Sequence, residues 1–386
     1  MWKAVLQQLG QDHLLRALSV LDSSCGPIMT LNGQNTLLFA SNDYLGLANH
    51  DHLKQAACKA IDEFGVGAGA SRLVSGTLTP HHNLELALAR FFKTEAALLL
   101  SSGYATNIGI IPSLIAPEGL ILADRLCHAS LIDGCRLSQS TLRVFHHNDM
   151  DHLRTLLAKR APNRPTLIVT EGVFSMDGDL APLPELARLA EEYEAILLLD
   201  DAHGTGVMGK TGRGTIEHWG EESANILHMG TLSKALGASG GFITGKKDFI
   251  AYMINTARSF IYSTAPPPAM AAAAQAALDL ILQEPERRAR LWQNREHMYQ
   301  GLRAIGCHLT NTQSPILPII VNDPEVAMEM SQQLRKKGIF IPAIRPPTVP
   351  KGTSRLRVTV TAEHSVEQID SALEGIQQVG QSLKIL

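Results

Sequence analysis

The stretch Thr231-Leu-Ser-Lys-Ala-Leu-Gly-Ala-Ser-Gly-Gly241 places one lysine among hydroxyls and glycines. Small residues on both sides of Lys234 allow a bulky planar molecule to approach the chain closely. An amine that is partly desolvated and held near an electrophile is suited to Schiff-base chemistry. Most lysines are instead solvated side chains in loops, so the neighbouring sequence has to decide between the two interpretations.

An acidic strand end lies upstream of this lysine. The run Ala195-Ile-Leu-Leu-Leu-Asp-Asp-Ala-His-Gly-Thr-Gly206 is apolar and ends in two carboxylates and a histidine, which predicts a buried strand. Ligands of open α/β sheets bind at the carboxyl ends of the strands, so we expect Asp200 to meet a cofactor there. A carboxylate in this place pairs with a protonated ring nitrogen. We expect Asp201 to cap the following turn instead.

Apolar runs alternate with helical patterns along the chain, which predicts an α/β fold with a mainly parallel sheet covered by helices on both faces. A helix is predicted for Leu183–Tyr193, where prolines lie at the first turn, and a long alanine-rich helix for Ala269–Leu282. The predicted strands are Ala96–Leu100, Leu120–Ala123, Leu167–Thr170, Ile196–Asp200, Ile226–Gly230 and Gly241–Thr244.

The chain is predicted to divide into three parts. An N-terminal segment, 1–47, precedes a large domain, 48–265, and a smaller C-terminal α/β domain, 266–386, begins with the long helix. Pro266-Pro-Pro268 marks this last boundary, because proline neither continues a helix nor donates to a sheet. The smaller domain is predicted to contain strands Ser314–Val321, Gly338–Ile344 and Arg355–Val360 and a helix Glu325–Lys337.

Composition excludes several classes of protein. The 386 residues are 45% hydrophobic with a mean hydropathy of +0.02, which suffices for a large core. A net charge of −3 disfavours nucleic-acid binding. No run approaches the ~20 apolar residues of a membrane span, and no secretory signal is recognised at the N-terminus. The five cysteines show no CxxC pair or metal-ligand spacing, so we expect a cytoplasmic protein without a metal site.

Further motifs carry a resemblance to a known family. They are Ser41-Asn-Asp-Tyr-Leu-Gly-Leu47, Ala123-Asp-Arg-Leu-Cys-His-Ala-Ser130, Thr170-Glu-Gly-Val-Phe-Ser-Met-Asp-Gly178, Asp200-Asp-Ala-His-Gly-Thr-Gly206 and Ala343-Ile-Arg-Pro-Pro-Thr-Val-Pro350. Together with Lys234 they resemble the α-oxoamine synthases, which are pyridoxal-phosphate-dependent enzymes of the aspartate aminotransferase fold (fold type I). The resemblance runs in order from about Asn42 to Arg357. It implies a seven-stranded sheet in the large domain and a homodimer with shared active sites.

The resemblance also implies which residues meet the cofactor ring. Pyridoxal 5′-phosphate is bound covalently to Lys234, and Asp200 pairs with its ring nitrogen. His128 stacks on the ring, where its face excludes water from the reacting carbon. His203 hydrogen-bonds the phenolic oxygen of the ring, and Ser175 supports the same region. Of these, Lys234, His128, Asp200 and His203 are the implied catalytic residues.

A second group is implied to hold the cofactor phosphate. Gly103 and Tyr104 follow an apolar strand and open a helix-like stretch, a geometry in which backbone amides and the helix dipole bind an anion. Thr231 and Ser233 flank the lysine and are implied to contact the same phosphate. Thr264 is implied to reach it across the dimer interface. Gly65-Val-Gly-Ala-Gly69 is not a dinucleotide fingerprint, because no strand precedes it.

Three residues are implied to bind substrates. Asn42 lies near the amino-acid side of the cofactor. Arg355 matches the family's carboxylate-binding arginine, and the planar fork of arginine binds both oxygens of a carboxylate. Arg345 precedes two prolines in a stiff loop and shapes the acyl pocket. Arg357, on the same strand face as Arg355, is interpreted as a solvated charge, and the role of Arg72 stays open.

Within the family, the Arg345 motif favours the member that condenses L-alanine with a pimeloyl thioester, carried by CoA or an acyl carrier protein, in biotin biosynthesis. The partners expected are therefore small molecules rather than nucleic acid or a membrane. The alternative is a sister enzyme such as glycine C-acetyltransferase or one that joins serine to a long acyl chain. Aminotransfer and cofactor binding without activity are more distant alternatives.

Overall fold

The structure, a computed structural model, describes residues 2–11, 14–16, 18–221, 223 and 225–386. Contacts between residues divide the chain into two compact units. Unit 1 comprises the residues up to Gly46, Met176–Asp179 and Ala289–Leu386, and unit 2 comprises Leu47–Ser175 and Leu180–Arg288. Unit 1 is therefore assembled from both ends of the chain and one short internal segment.

The strands and helices have the following bounds. The strands are β1 (Ile28–Leu31), β2 (Gln34–Leu38), β3 (Ala96–Leu100), β4 (Leu120–Asp124), β5 (Thr141–Phe145), β6 (Thr166–Glu171), β7 (Ile196–Asp200), β8 (Ile226–Thr231), β9 (Gly241–Gly245), β10 (Ile316–Asn322), β11 (Ile339–Phe340), β12 (Ala343–Ile344) and β13 (Ser354–Thr359). The helices are α1 (Trp2–Gln11), α2 (Asp51–Phe64), α3 (Thr79–Phe92), α4 (Gly103–Leu114), α5 (Ala129–Leu137), α6 (Met150–Ala158), α7 (Leu183–Glu192), α8 (Thr215–Trp219), α9 (Lys247–Thr256), α10 (Arg258–Ile261), α11 (Pro268–Gln283), α12 (Pro285–Ala304), α13 (Pro324–Lys336) and α14 (Val366–Ser382).

The seven strands of unit 2 form one sheet in the order β3-β9-β8-β7-β6-β4-β5. The pairs β4–β5, β4–β6, β6–β7 and β7–β8 are parallel, whereas β9 runs antiparallel to both of its neighbours. The predicted mainly parallel, seven-stranded sheet is thus confirmed. All six strands predicted for this part of the chain are present, within two residues of the expected ends.

Strand β5 was missed from the sequence. Its residues Thr141, Leu142, Arg143 and Val144 are partly or fully exposed, and only Phe145 is buried. The strand lies at the edge of the sheet, where it pairs with one neighbour only. An edge strand with a half-polar sequence lacks the continuous apolar run by which buried parallel strands are recognised.

Side chains on successive residues of the strands enter two apolar clusters, because a strand points alternate residues to opposite faces. Leu198 belongs to one cluster, with residues of α4, α5, α9 and α10. Leu197 and Leu199 belong to the other, with residues of α6 and α7. The sheet of unit 2 is therefore covered on both faces, and its carboxyl edge remains the place where polar side chains collect.

Unit 1 contains two three-stranded sheets, β1-β2-β11 and β10-β13-β12. The predicted strand Gly338–Ile344 is interrupted at Ile341 and Pro342, so that β11 and β12 belong to different sheets. Strand β13 pairs antiparallel with β10, with Arg355 opposite Ile320 and Arg357 opposite Pro318. This register places both arginines on the same buried strand face.

The predicted long helix, α11, packs against α2 and α3 of unit 2. The contact boundary consequently falls between Arg288 and Ala289, within α12, rather than at Pro266. The residues up to Gly46 are grouped with the C-terminal part of the chain. Contact clustering thus groups α11 with unit 2, and the division into 1–47, 48–265 and 266–386 stays a prediction. Among the described helices, none combines the length and apolar character required to cross a bilayer.

Candidate active site

The carboxylate of Asp200 lies at the carboxyl end of β7 and is buried, with 6% of its surface exposed. Its Oδ2 accepts a hydrogen bond of 2.8 Å from Asn107 Nδ2, and its Oδ1 accepts one of 3.1 Å from the amide of Ala202. Both oxygens are therefore held in place. Asn107 lies on α4 and is 1% exposed. It was missed from the sequence, because its position in the middle of a helix gave no signal.

His128 begins α5 as its N-cap. Its Nδ1 lies 2.8 Å from Ser130 Oγ and accepts a bond of 3.2 Å from the Ser130 amide. The ring is exposed by its accessible surface, yet desolvation by the groups around it lowers its pKa below that of an ordinary histidine. The charge of Lys234 lowers the pKa further, whereas Asp200 raises it. The pKa of His128 therefore depends on the charges of both Asp200 and Lys234.

Glu171 is an acidic residue of this edge that the sequence did not single out. It ends β6, lies opposite Asp200 in the β6–β7 register, and is 3% exposed. Its Oε1 accepts a hydrogen bond of 2.6 Å from the amide of His128. Burial and the charge of Asp200 raise its pKa, while Lys234 opposes that rise. Glu171 therefore fixes the backbone at His128 next to the carboxylate of Asp200.

The loop with Lys234 joins β8 to β9. Bonds from the Leu232 amide to Gly240 O (3.0 Å) and from the Ala238 amide to Leu232 O (2.9 Å) close it at its base. Gly237 takes a φ of +61°, where an ideal Cβ would overlap the backbone at Ala48 and Leu47. Lys234 is half-buried in this loop. The close packing explains why small residues surround the lysine.

The phosphate-binding residues predicted from the sequence are partly brought together. An ideal Cβ on Gly103 would lie 3.4 Å from Thr231 Cβ, so the first turn of α4 adjoins the end of β8. Thr231 Oγ1 lies 2.8 Å from Ser233 Oγ. Tyr104 is exposed, and its hydroxyl donates to Asp133 Oδ2 at 2.5 Å. Glycine at the start of a helix leaves the first-turn amides accessible to an anion.

The remaining predicted residues of unit 2 differ in exposure. His203 is buried and Ser175 is half-buried. Thr264 is exposed, and its backbone forms a bridge with Ser71. The structure places Thr264 at the surface, and its contact with the phosphate across a dimer interface stays a prediction.

Asp201 is a structural residue, as expected. It is fully buried, and its two oxygens accept bonds from the amide (2.7 Å) and hydroxyl (3.0 Å) of Thr215, the first residue of α8. Ideal Cβ atoms on Gly172, Gly204 and Gly214 would overlap its carboxylate. The expectation that the Asp201 side chain caps the following turn is wrong, because its carboxylate binds the first residue of α8, fourteen residues further along the chain.

Arg72, whose role was open, is also structural. Its guanidinium forms an ion pair with Glu85 at 3.0 Å and donates to Thr77 Oγ1 at 3.0 Å. Glu85 in turn accepts a bond of 2.9 Å from the Leu99 amide of β3. The side chain is 8% exposed and ties the turn before α3 to the sheet.

Arg355 forms hydrogen bonds with residues of its own unit, unit 1. Its Nη1 donates to Asp177 Oδ1 at 2.6 Å and to the carbonyl of Met176 at 3.0 Å, and its Nε donates to the Thr353 carbonyl at 2.9 Å. The side chain is 3% exposed. Its planar fork is therefore held rigidly by three acceptors.

The interpretation of Arg357 as a solvated charge is wrong. It is 5% exposed, and its Nη2 donates to Asn42 Oδ1 at 3.1 Å. Burial raises the pKa of Tyr44, and the charge of Arg357 together with a hydrogen bond to it opposes that rise. Alternate residues of β13 share a face, and in unit 1 that face is buried, so both arginines lie inside. The structure brings Arg357, rather than Arg355, to Asn42.

Arg345 lines a cavity of about 440 Å³ in unit 1. Arg16 and Arg335 line the same cavity, and the described lining contains no Asp or Glu. Burial and the charge of Arg16 lower the pKa of Arg345, and its Nη2 donates to the Leu15 carbonyl at 3.1 Å. The cavity is suited to an anionic group. Arg16 was missed, because a single arginine near the N-terminus resembles any surface charge.

The residues of unit 2 fit pyridoxal phosphate by the chemistry of their side chains. Asp200 offers a buried, oriented carboxylate for a protonated ring nitrogen. Lys234 offers an amine whose charge acts on His128 and Glu171. Gly103 and Thr231 adjoin at a helix N-terminus, where an anionic phosphate is stabilised.

Comparisons with known proteins agree with this assignment. Residues 34–376 match the family model described as aminotransferase class I and II. The chain is 43% identical over 384 residues to 8-amino-7-oxononanoate synthase 1 of Bacillus subtilis (strain 168), covering 100% of this chain and 98% of that protein. It is 46% identical over 385 residues to 8-amino-7-oxononanoate synthase of Geobacter sulfurreducens, with 99% and 98% covered. A solved serine palmitoyltransferase from S. paucimobilis with a bound PLP–myriocin aldimine is similar with a TM-score of 0.95 at 32% identity, covering 100% of this chain and 98% of that one.

Proposed function

The chain belongs to the class I and II aminotransferase family, and we propose that it catalyses the reaction of its 8-amino-7-oxononanoate synthase relatives. That reaction is the decarboxylating condensation of L-alanine with a pimeloyl thioester, which gives 8-amino-7-oxononanoate, CO2 and a free thiol in biotin biosynthesis. The full-length identity of 43% and 46% to two such enzymes carries the proposal. The serine palmitoyltransferase, with a TM-score of 0.95, is 32% identical.

Pyridoxal 5′-phosphate is the cofactor, held covalently by Lys234, and when bound its ring withdraws electrons from the amino-acid Cα. The ε-amine of Lys234 removes the Cα proton of alanine and later returns a proton to the product carbon. Asp200 keeps the ring nitrogen protonated, since its buried carboxylate is fixed at both oxygens. The carboxylate that would pair with the ring nitrogen thus lies at the end of β7, and the base follows the end of the neighbouring strand β8.

The other residues of unit 2 orient the cofactor. His128 would cover one face of the ring and exclude water, and His203, with the support of Ser175, would donate to the ring oxygen. Gly103, Tyr104, Thr231 and Ser233 bind the phosphate, and Thr264 of the partner subunit completes that site in a homodimer. The exposure of Thr264 supports this arrangement.

Unit 1 supplies the residues that bind the substrates. Arg355 and Arg357 are the candidates for the alanine carboxylate, and the contact of Arg357 with Asn42 favours Arg357. Arg345, with Arg16 and Arg335 in the same cavity, attracts the anionic end of the acyl donor, delivered by CoA or an acyl carrier protein. All five cysteines are free thiols, which supports a reducing cytoplasm as the location.

The test is a panel of amino acids and acyl thioesters, scored by release of free thiol. We expect alanine with pimeloyl-CoA to give the highest kcat/KM. Glycine with acetyl-CoA, or serine with palmitoyl-CoA, giving a higher value would assign the chain to a sister enzyme instead. A keto acid that yields a new amino acid would indicate aminotransfer.

Borohydride reduction followed by peptide mass spectrometry tests the attachment site. We expect the cofactor mass on the peptide that contains Lys234. The variant Lys234→Ala is expected to lose turnover while its circular dichroism spectrum is unchanged, and Lys59→Ala, at an exposed position of α2, serves as the matched control. Near-normal turnover of Lys234→Ala would exclude the lysine as the nucleophile.

A further inference from the structure

Four side chains of unit 2 form one continuous hydrogen-bonded chain. It runs from His128 Nδ1 to Ser130 Oγ (2.8 Å), from Ser130 Oγ to Asn107 Nδ2 (2.9 Å), and from Asn107 Nδ2 to Asp200 Oδ2 (2.8 Å). Ser130 and Asn107 are each 1% exposed. We propose that Asn107 and Ser130 are positioning residues that hold the carboxylate of Asp200 and the imidazole of His128 in fixed orientation and protonation.

The direction of each bond follows from the donors available. The carboxylate of Asp200 only accepts, so the Asn107 amide must present its NH2 group, and that group has two protons for two acceptors. Ser130 Oγ accepts the second of them. The single hydroxyl proton of Ser130 is then directed at His128 Nδ1, which also accepts the Ser130 amide at 3.2 Å.

Two donors onto Nδ1 determine the tautomer of His128. A nitrogen that accepts carries no proton, so the neutral ring holds its proton on Nε2. The reverse arrangement, with a proton on Nδ1, would set that N–H against the amide N–H of Ser130. The charges acting on this ring are those of Asp200, Lys234 and Asp133. Through Ser130, Asn107 therefore links the tautomer of His128 to the orientation of the Asp200 carboxylate.

The cost of this arrangement is visible in the structure. Asn107 Oδ1 is buried and has no hydrogen-bond partner among the described residues. An unpaired buried carbonyl oxygen is destabilising, and an apolar side chain of the same size would avoid it. The asparagine is explained by what its NH2 group does for Asp200 and Ser130 rather than by stability.

The first test concerns His128 alone and needs no cofactor. In the full-length chain labelled with ¹⁵N-histidine, with His128→Asn used to assign the signal, we expect the ring to be a single Nε2–H tautomer. Ser130→Ala removes the hydroxyl donor but keeps the amide of residue 130, so the population of the Nε2–H tautomer should fall, and Ser130→Thr, which keeps the hydroxyl, should restore it. Ser113→Ala removes a hydroxyl that bonds within α4 and should leave the His128 signal unchanged.

The second test measures the affinity for pyridoxal phosphate and therefore rests on the proposed function. Asn107→Leu removes both donors at nearly constant volume, and we expect the Kd to rise about 10–100-fold, the loss of one hydrogen bond to a charged group. The matched control is again Ser113→Ala.

Two results would overturn the proposal: an unchanged His128 tautomer in Ser130→Ala, or an unchanged Kd in Asn107→Leu. Failure of the proposed reaction is separable, since a chain inactive with alanine and pimeloyl-CoA would still show the tautomer effect. If Ser130→Ala does not fold, Asn107→Leu gives the same information, because Ser130 then loses the donor that orients its hydroxyl.

Discussion

Asp200 and Asp201 are consecutive, buried carboxylates at the end of one strand, yet their surroundings are opposite in kind. Asp201 is enclosed by Gly172, Gly204 and Gly214 and binds the first turn of α8 through both oxygens. Asp200 is held by one side-chain amide and one backbone amide, within the electrostatic reach of His128 and Glu171.

The difference shows how one strand end serves both stability and chemistry. Successive residues at a strand end point to opposite sides of the sheet. The side facing Asp201 is closed by glycines and by the buried His228, whose Nε2 lies 3.5 Å from Asp201 Oδ2, whereas Asp200 lies among His128, Glu171 and Lys234. Substitutions at the two positions should therefore affect different measurements.

The largest effect is expected for Asp200→Asn. Removal of one charge from a buried ion pair costs about 3–5 kcal/mol, which corresponds to a fall in kcat/KM of about 10²–10⁴-fold. The free energy of unfolding of the cofactor-free chain should fall by no more than about 1–3 kcal/mol, because Asn keeps one of the two oxygens that accept hydrogen bonds. Turnover and urea denaturation measured on the same preparation check this, and retained turnover would contradict the role of Asp200.

Asp201→Ala should show the opposite pattern. The amide and hydroxyl of Thr215 would lose their acceptor, and each unpaired buried donor costs about 1–3 kcal/mol. We expect the free energy of unfolding to fall by that amount or more, measured by urea denaturation. The affinity for pyridoxal phosphate, measured below the unfolding transition, should change less than in Asp200→Asn. A larger loss of affinity in Asp201→Ala than in Asp200→Asn would contradict the different roles assigned to the two carboxylates.

Gly204→Ala tests the glycine enclosure directly. Its new Cβ would overlap the Asp201 carboxylate, and overpacking of this kind costs about 1–3 kcal/mol. Gly67→Ala is the matched control, because no atom lies within 4 Å of an ideal Cβ there. Equal thermal stability of the two variants would show that the enclosure is not tight.

The smallest effect expected is a pH dependence from Glu171. Its pKa is raised in the folded chain by burial and by Asp200, so the folded state holds a proton that the unfolded state releases. This stability is fully present below the ordinary glutamate pKa and is lost as pH rises through the raised value, by at most about 1.4 kcal/mol per pH unit.

Denaturation of the cofactor-free chain at several pH values measures this slope. Glu171→Gln should flatten it, whereas Glu191→Gln, at an exposed position of α7, should not. A slope that persists in Glu171→Gln would assign the pH dependence to another group.

The sequence predicted the strands of the unit 2 sheet because long apolar runs ending in glycine or acid have few alternative structures. It failed for β5, whose residues Thr141–Val144 are partly or fully exposed and give no apolar run. Lys234 and Asp200 were identified because their neighbours are unusual in composition. Asn107, Ser130 and Glu171 were not, since a polar residue inside a helix or strand is ordinary until its partners are known.

The two arginines of β13 show the same limit of prediction from the sequence. A period of two predicts that Arg355 and Arg357 share a face, but not whether that face is solvated. Only the packed structure shows that both are buried, that Arg355 is paired with Asp177, and that Arg357 meets Asn42.

The sequence by itself determined the α/β class, the order of the strands along the chain and the lysine and carboxylate of the site, because these depend on local patterns of apolar, small and charged residues. The tertiary structure decided which of two adjacent carboxylates is structural, which arginine reaches Asn42, and how Asn107 joins Asp200 to His128. Those outcomes depend on distances between residues far apart in the chain, such as the 93 positions that separate Asn107 from Asp200. Such distances are set only when the helices and strands pack together.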